Sequence, residues 1–347
     1  MSRSPEGRVS RRQLIRTAAL AGLAAALPRW SRATGTGTGT GAVPLITRRI
    51  PSTGEVLPVV GIGTNRFGQL QDAEAQALLR RMTELGGTVI DTAAMYGESE
   101  AVIGRALKAL GVRDQVFLAT KFNAPGATFG APPRGPGGAP PPGPPPGARP
   151  AGPPMQDGVY GLESFERSLR RLQTDRVDLL MAHFIGSVEP LMPTLLDLKK
   201  AGRTRYIGIT SVIPDQHPQL IEYMKKYPVD FVQVDYSLGS RSSAGDVFPV
   251  ALERRIATMI AVPFGGGWNS LFRAIGGRAL PPWAAEVGAT SWSQLFLKYV
   301  IANPAVTCVI PGSTDLEHLE DNQAAGHGVV ATAEQVRRIE AYWDQQG

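Results

Sequence analysis

Four residues that can jointly move a proton follow one another along the chain: Asp91, Tyr96, Lys121 and His183. Asp91 ends the run Thr88-Val89-Ile90-Asp91 and leads into Thr92-Ala93-Ala94-Met95-Tyr96-Gly97. Lys121 ends the run from Val116, and His183 closes the run from Val177. A tyrosine hydroxyl has an ordinary pKa near 10, too high for easy proton exchange at neutral pH. A nearby ammonium stabilises the phenolate and draws that value down, and a buried carboxylate keeps the ammonium charged. An imidazole beside them can hold a carbonyl oxygen where negative charge develops. Together they form machinery for reducing a carbonyl or oxidising an alcohol, with Tyr96 delivering the proton. The hydride has to come from a cofactor, because no side chain donates one. Taken singly, each has a blander reading: a strand cap, a rim aromatic, a snorkelling lysine, a satisfied core histidine. Ionisable groups at three neighbouring strand ends favour a site.

Such convergence needs a scaffold that aims successive strand ends at one place. Eight short apolar runs recur: Val59–Gly63, Thr88–Asp91, Val116–Lys121, Val177–Met181, Tyr206–Ile209, Phe231–Val234, Met259–Val262 and Cys308–Ile310. Near-continuous apolar runs suit parallel strands buried on both faces. Helical periodicity lies between them, over Asp72–Leu85, Glu100–Leu110, Leu162–Leu172, Leu191–Lys200, Gln219–Lys226 and Trp292–Ile301. Eight strand–helix units predict a (β/α)8 TIM barrel, whose chemistry sits at the C-terminal ends of its strands. An open doubly wound sheet is the runner-up. It is disfavoured because Gly61-Ile62-Gly63 carries Arg66 where a dinucleotide fingerprint needs its third glycine.

Composition removes several other functions. The single cysteine, Cys308, excludes a disulfide framework, and the four scattered histidines argue against a metal-dependent hydrolase. The net charge of +6 suggests nucleic acid until it is located. Residues 1–33 hold seven arginines and one acid, which is the whole excess; the rest has 29 basic and 29 acidic residues. A balanced body makes no broad field for phosphate backbones, so no nucleic-acid partner is expected. The basic stretch Ser10–Arg16, the mild apolar run Thr17–Leu27 and the small-residue pattern Ser31-Arg32-Ala33 read as a twin-arginine-type signal peptide over 1–33. That apolar run spans about 16 Å as a helix, short of a bilayer core, so no stable membrane anchor is expected. The export machinery is then a partner and the destination periplasmic or extracellular, with the cytoplasm as alternative. Residues 34–47 read as a flexible linker and 48–347 as the barrel. Thirteen prolines and eight glycines between Ala124 and Asp157 leave little to bury, and predict a disordered surface insertion.

At its candidate site the chain resembles the aldo-keto reductase family. The resemblance is carried by Leu57-Pro58-Val59-Val60-Gly61-Ile62-Gly63-Thr64, Asp91–Glu100, Ala119-Thr120-Lys121 and Asp178–His183. It continues through Ile207–Thr210, Phe231–Val234 and Ile310-Pro311-Gly312-Ser313. It implies an NAD(P)H-dependent oxidoreductase acting on an aldehyde, ketone or sugar, on a barrel plugged by an N-terminal hairpin. Arg48–Pro58, with Thr53-Gly54 at its turn, suits that plug. Asp91, Tyr96, Lys121 and His183 match the family's catalytic tetrad. Gly63, Thr64, Asp91, Thr210, Ser211, Gln233, Phe264 and Gly265 fall at cofactor-binding positions, as do Ser313, His318, Asp321 and Asn322 in the last loop. Two positions depart from the pattern. Ser211 replaces the usual carboxamide-binding asparagine, and Ala261 stands where a tyrosine often stacks on the nicotinamide. The resemblance implies NADP. NAD is less disfavoured than usual, because the basic pair expected at a 2′-phosphate is here Gly312 and His318, and neutral histidine is a poor phosphate partner. Phe67, Phe122, Phe184, Trp268 and Trp283 are candidate walls of a substrate pocket. The reading from another class is a cofactor-sensing or partner-binding barrel with weak catalysis.

Overall fold

The structure is a computed structural model, and it describes residues 43–127, 158–266 and 270–345. The expected signal peptide, most of the Pro/Gly-rich insertion and Trp268 lie outside the described residues. The chain begins with an antiparallel hairpin, β1 (Thr47–Arg49) and β2 (Val56–Pro58), in which Arg48 faces Leu57. Then come β3 (Ile62–Gly63), α1 (Asp72–Glu84), β4 (Val89–Asp91), α2 (Ser99–Leu110) and β5 (Phe117–Phe122). Beyond the insertion lie α3 (Gly161–Leu172), β6 (Val177–Ala182), α4 (Val188–Lys200), β7 (Thr204–Ser211) and α5 (His217–Lys226). The chain continues through β8 (Phe231–Asp235), α6 (Ser242–Arg254), β9 (Ala257–Ala261), α7 (Leu271–Ile275) and α8 (Trp292–Ala302). It ends with β10 (Val306–Val309), α9 (Leu316–Ala324) and α10 (Ala333–Asp344).

Strands β3 to β10 pair in sequence order, all parallel. Bridges Val60–Val309 and Gly63–Gly312 join the first strand to the last, so the sheet closes on itself. This is the expected (β/α)8 barrel, and each of the eight anticipated runs supplies one stave. Two apolar layers hold it. Val89, Phe117, Leu179, Met181, Phe231, Met259 and Cys308 fill the inside, while alternate residues such as Ile90, Leu118, Leu180 and Val232 pack outward beneath the helices. That alternation is the period-two pleat of a strand buried on both faces.

The hairpin is the plug the resemblance implied. Ile50 and Leu57 join the interior cluster from below. Gly54 turns the chain at φ +79°, a conformation costly for residues with a Cβ. Glu55 accepts hydrogen bonds from Tyr206 Oη at 2.6 Å and from Arg205, and Arg255 Nη2 donates to Pro51 O at 2.6 Å. Residues 44–47 are part of this body rather than of a tether. Ile46 N donates to Gly326 O at 2.8 Å, and Gly328 N donates to Pro44 O at 2.8 Å.

At the insertion, Gly161 N donates to Asn123 O at 2.9 Å, joining the chain on either side of the excursion. Among the described residues no helix is long and apolar enough to cross a membrane.

Candidate active site

Backbone pairing continues past the formal strand ends and sets the positions of the reacting groups. Thr92 N donates to Ala119 O at 2.9 Å, Ala94 N to Lys121 O at 3.0 Å, and His183 N to Phe122 O at 2.9 Å. Tyr96 therefore starts a tight turn from a rigid stave. Gly97 follows it at φ +59°, and the Ser99 hydroxyl ties the start of α2 to Thr64 O.

The four side chains meet. Lys121 Nζ, fully buried, lies 2.6 Å from Asp91 Oδ2 and 2.8 Å from Thr92 O. The same ammonium stands 5.1 Å from the centre of the Tyr96 ring. The Tyr96 ring meets that of His183 edge-on at 5.9 Å. Asp91 Oδ1 accepts from Gln233 Nε2 at 3.0 Å, and Gln233 Oε1 accepts from Thr210 Oγ1 at 3.2 Å. The result is one polar chain from Thr210 through Gln233 and Asp91 to Lys121.

Burial opposes charge on Lys121, yet Asp91 and Tyr96 outweigh it, so the ammonium is held above its ordinary pKa and stays protonated. Tyr96 departs from expectation. Burial raises its pKa; Lys121 pulls it down but Asp91 opposes that pull, and the net shift is upward. The phenol is thus held protonated, in the state a proton donor needs. Burial and the neighbouring ammonium push His183 well below its usual range. Its ring is neutral, and Nδ1 has no partner among the described residues.

Asp91, Tyr96 and His183 line a cavity of about 480 Å³ with Gly63, Thr64, Thr210, Ser211, Gln233, Phe264 and Gly265, while Lys121 is fully buried and does not reach its surface. Two strained residues sit on its rim. Phe184 (φ +66°) stacks its ring on His183 with centres 4.2 Å apart, and Val262 (φ +46°) follows Ala261. Non-glycine residues keep such backbone angles only where their surroundings impose them, typically at functional sites.

Not every anticipated residue comes to the cavity. Ser313 and His318 line an adjoining cleft of about 260 Å³, which shares Gly63, Asn65 and Gly312 with the first. Asp321 and Asn322 line neither. Both lie within α9 rather than in a loop. The Asp321 carboxylate accepts from Ser291 Oγ and Gln294 Nε2, each at 2.7 Å, which turns it toward α8. Gln233 faces the cavity with its amide already bonded to Asp91. Among the candidate walls, Phe184 is in place. Phe67 and Phe122 are fully buried core residues, and Trp283 packs against Arg338 and Tyr342.

Several lining residues escaped the sequence reading, Gln216 and Arg66 among them. Gln216 lines the main cavity, and its Oε1 accepts from Ser211 Oγ at 2.6 Å. Arg66 lines the adjoining cleft. The sequence shows Arg66 only as the residue that breaks a glycine fingerprint. Its position after the first stave, where barrel loops build sites, was the available clue.

A closed parallel barrel with a proton-transfer cluster on its C-terminal rim defines the class of protein. The family model for the aldo/keto reductase family matches residues 59–344, and the chain belongs to that family. It is 29% identical over 305 residues to methylglyoxal reductase YeaE of Escherichia coli, covering 85% of this chain and 95% of that one. The fold is similar to that of a Bacillus halodurans aldo-keto reductase in its holo form, with a TM-score of 0.62 at 22% identity, covering 86% of this chain and 96% of the other. It is also similar to a Klebsiella pneumoniae aldo-keto reductase in complex with NADPH, with a TM-score of 0.61 at 24% identity, covering 87% and 96%.

Proposed function

We propose that this barrel is an NAD(P)H-dependent oxidoreductase that interconverts a carbonyl and an alcohol, with Tyr96 as the proton donor and NADP as the cofactor. The observation that carries the reading is the Lys121 ammonium. It is paired to buried Asp91 and set over the Tyr96 ring, and Asp91, Tyr96 and a neutral His183 form one wall of a cavity. A cofactor-sensing barrel would not need that arrangement.

The residues present fit a dinucleotide. The main cavity opens into a second, polar cleft through shared residues, and Gly312 has no side chain to fill the junction. Gly63, Thr64, Thr210, Ser211, Gln233, Phe264 and Gly265 would hold the nicotinamide end, and Ser313 and His318 the far end. The dinucleotide, when bound, supplies or accepts the hydride.

Everything else is work for this chain. A neutral His183 can donate to a carbonyl oxygen without adding a positive charge that would raise the acidity of its neighbours. Tyr96, kept protonated by burial, gives its proton to that oxygen as negative charge builds there. Lys121 then stabilises the phenolate left behind, and Asp91 prevents the ammonium from losing its own proton. In the oxidative direction the same groups act in reverse, with the phenolate taking the alcohol proton.

The test is turnover by purified protein, followed at the reduced nicotinamide absorbance with a panel of aldehydes, ketones and sugars. Methylglyoxal belongs in that panel because of the similarity to YeaE. Reduction abolished in Tyr96→Phe is the expected result; full activity in that variant would refute the assignment.

We also propose that residues 1–33 are a twin-arginine-type export signal and that the protein works in the periplasm or outside the cell. The support is the arginine pair Arg11-Arg12 before a mild apolar run. Cell fractionation with N-terminal sequencing should find a mature chain beginning near Thr34. An intact Met1 confined to the cytosol would overturn this.

A further inference from the structure

The cleft beside the main cavity is lined by Gly63, Asn65, Arg66, Gly312, Ser313, Thr314 and His318. Arg66 is the lining group that carries charge at every physiological pH. Its guanidinium has no hydrogen bond or ion pair to any described residue, and the residue is solvent-exposed. Other arginines of the barrel are engaged by carboxylates: Arg105 with Asp72, Arg241 with Asp344 and Arg81 with Glu320. An always-charged guanidinium at a polar cleft with no carboxylate among its lining residues is arranged for an anion.

The last loop lacks such a group of its own. Gly312 contributes no side chain, and the His318 ring is mostly exposed, 3.9 Å from Asp315. We infer that Arg66, on the loop after β3, is the cation that binds a phosphate of the dinucleotide, in place of the basic residue missing at Gly312. The inference rests on the proposed nicotinamide chemistry and names the group that anchors the cofactor's anionic end. The Thr314 hydroxyl, which also lines the cleft, can donate to the phosphate, whereas Ser313 Oγ already donates to Asp315 O at 2.8 Å. The cleft's continuity with the Tyr96 cavity through Gly63, Asn65 and Gly312 lets one extended ligand occupy both.

Fluorescence or calorimetric titration of full-length protein, without any carbonyl substrate, reads the effect directly. In Arg66→Ala the dissociation constant for NADPH should rise by roughly tenfold to a hundredfold, the scale of a lost charge-assisted hydrogen bond. Arg66→Lys should retain part of the affinity. Loss confined to NADPH assigns the contact to the 2′-phosphate; equal loss for NADPH and NADH assigns it to the pyrophosphate. A Cβ at Gly312 meets nothing closer than Asn65 Oδ1 and Gly63 O at 3.7 Å, so a side chain can leave the backbone there without a clash. Gly312→Lys in the Arg66→Ala background should restore binding. Unchanged affinity for both cofactors in Arg66→Ala would overturn the inference. Wild-type protein that binds neither dinucleotide would instead overturn the oxidoreductase reading itself.

Discussion

In the proposed mechanism the ion pair between Lys121 and Asp91 serves both proton chemistry and folding, and the two roles can be separated. Its geometry is short and fully buried, a setting where breaking one partner costs about 3–5 kcal/mol because an unpaired charge is left inside. Lys121→Met should therefore lower stability by that order as well as abolish turnover. The double variant Lys121→Met/Asp91→Asn should regain much of the stability, measured by urea unfolding, while staying inactive. Tyr96→Phe removes a hydroxyl and no charge. It should lose roughly two to four orders of magnitude in kcat for reduction and keep its affinity for NADPH. Because burial raises the Tyr96 pKa, the donor stays protonated beyond its ordinary range. Its titration should leave reductive kcat undiminished up to at least about pH 10. A rate profile in which loss of the Tyr96 proton depresses reduction near neutrality would contradict that direction.

Among the elements, the junction of α5 and α6 couples a rim residue to a buried charge cluster. His217 begins α5 directly after Gln216, with Nε2 at 3.2 Å from Asp235 Oδ1 and Nδ1 at 3.4 Å from Asp246 Oδ2. Burial lowers its basicity, but the two carboxylates outweigh this and the net shift is upward. A histidine raised above its unfolded value of 6.5 contributes stability that is complete below that pH and lost as pH climbs through the folded value. Melting temperatures of wild type and His217→Gln should thus differ most below pH 6.5, and the gap should narrow as the pH climbs above that value. A gap that widens with pH would reverse the sign. The same elements show where sequence patterns stop. All eight staves were legible, because both their faces are buried and their apolar runs are unbroken. Helix α6 was not: Gly245 and Pro249 interrupt its periodicity, and packing against α5 and β9 rather than local propensity maintains it. Helix α9 was read as a loop because its polar residues suggested ligand contacts, whereas Asp321 in fact braces α8. The tetrad was legible because strand order fixes which ends adjoin. Arg66 and Gln216 were not, since the cavities they line are assembled by loop conformations and, for Arg66, by segments far apart in the chain.

Across the molecule, the chain segments on either side of the Pro/Gly-rich stretch are joined directly. Asn123 and Gly161 are hydrogen-bonded across its base, and β5 pairs β6 without a break in register. Replacing residues 128–157 with a short Gly/Ser loop should leave the melting temperature within a few degrees, since lengthening or shortening a surface loop changes closure entropy only slowly. Calorimetry of the excised protein measures this, and a collapse in stability would reveal packing of that segment on the barrel.

The hairpin β1–β2 has a consequence for traffic. With Ile50 and Leu57 set into the interior and the Glu55 network fastened beneath them, the vessel has a floor. A ligand of the cavity then enters and leaves past the loops of the opposite rim, so those loops frame the route for substrate and product alike.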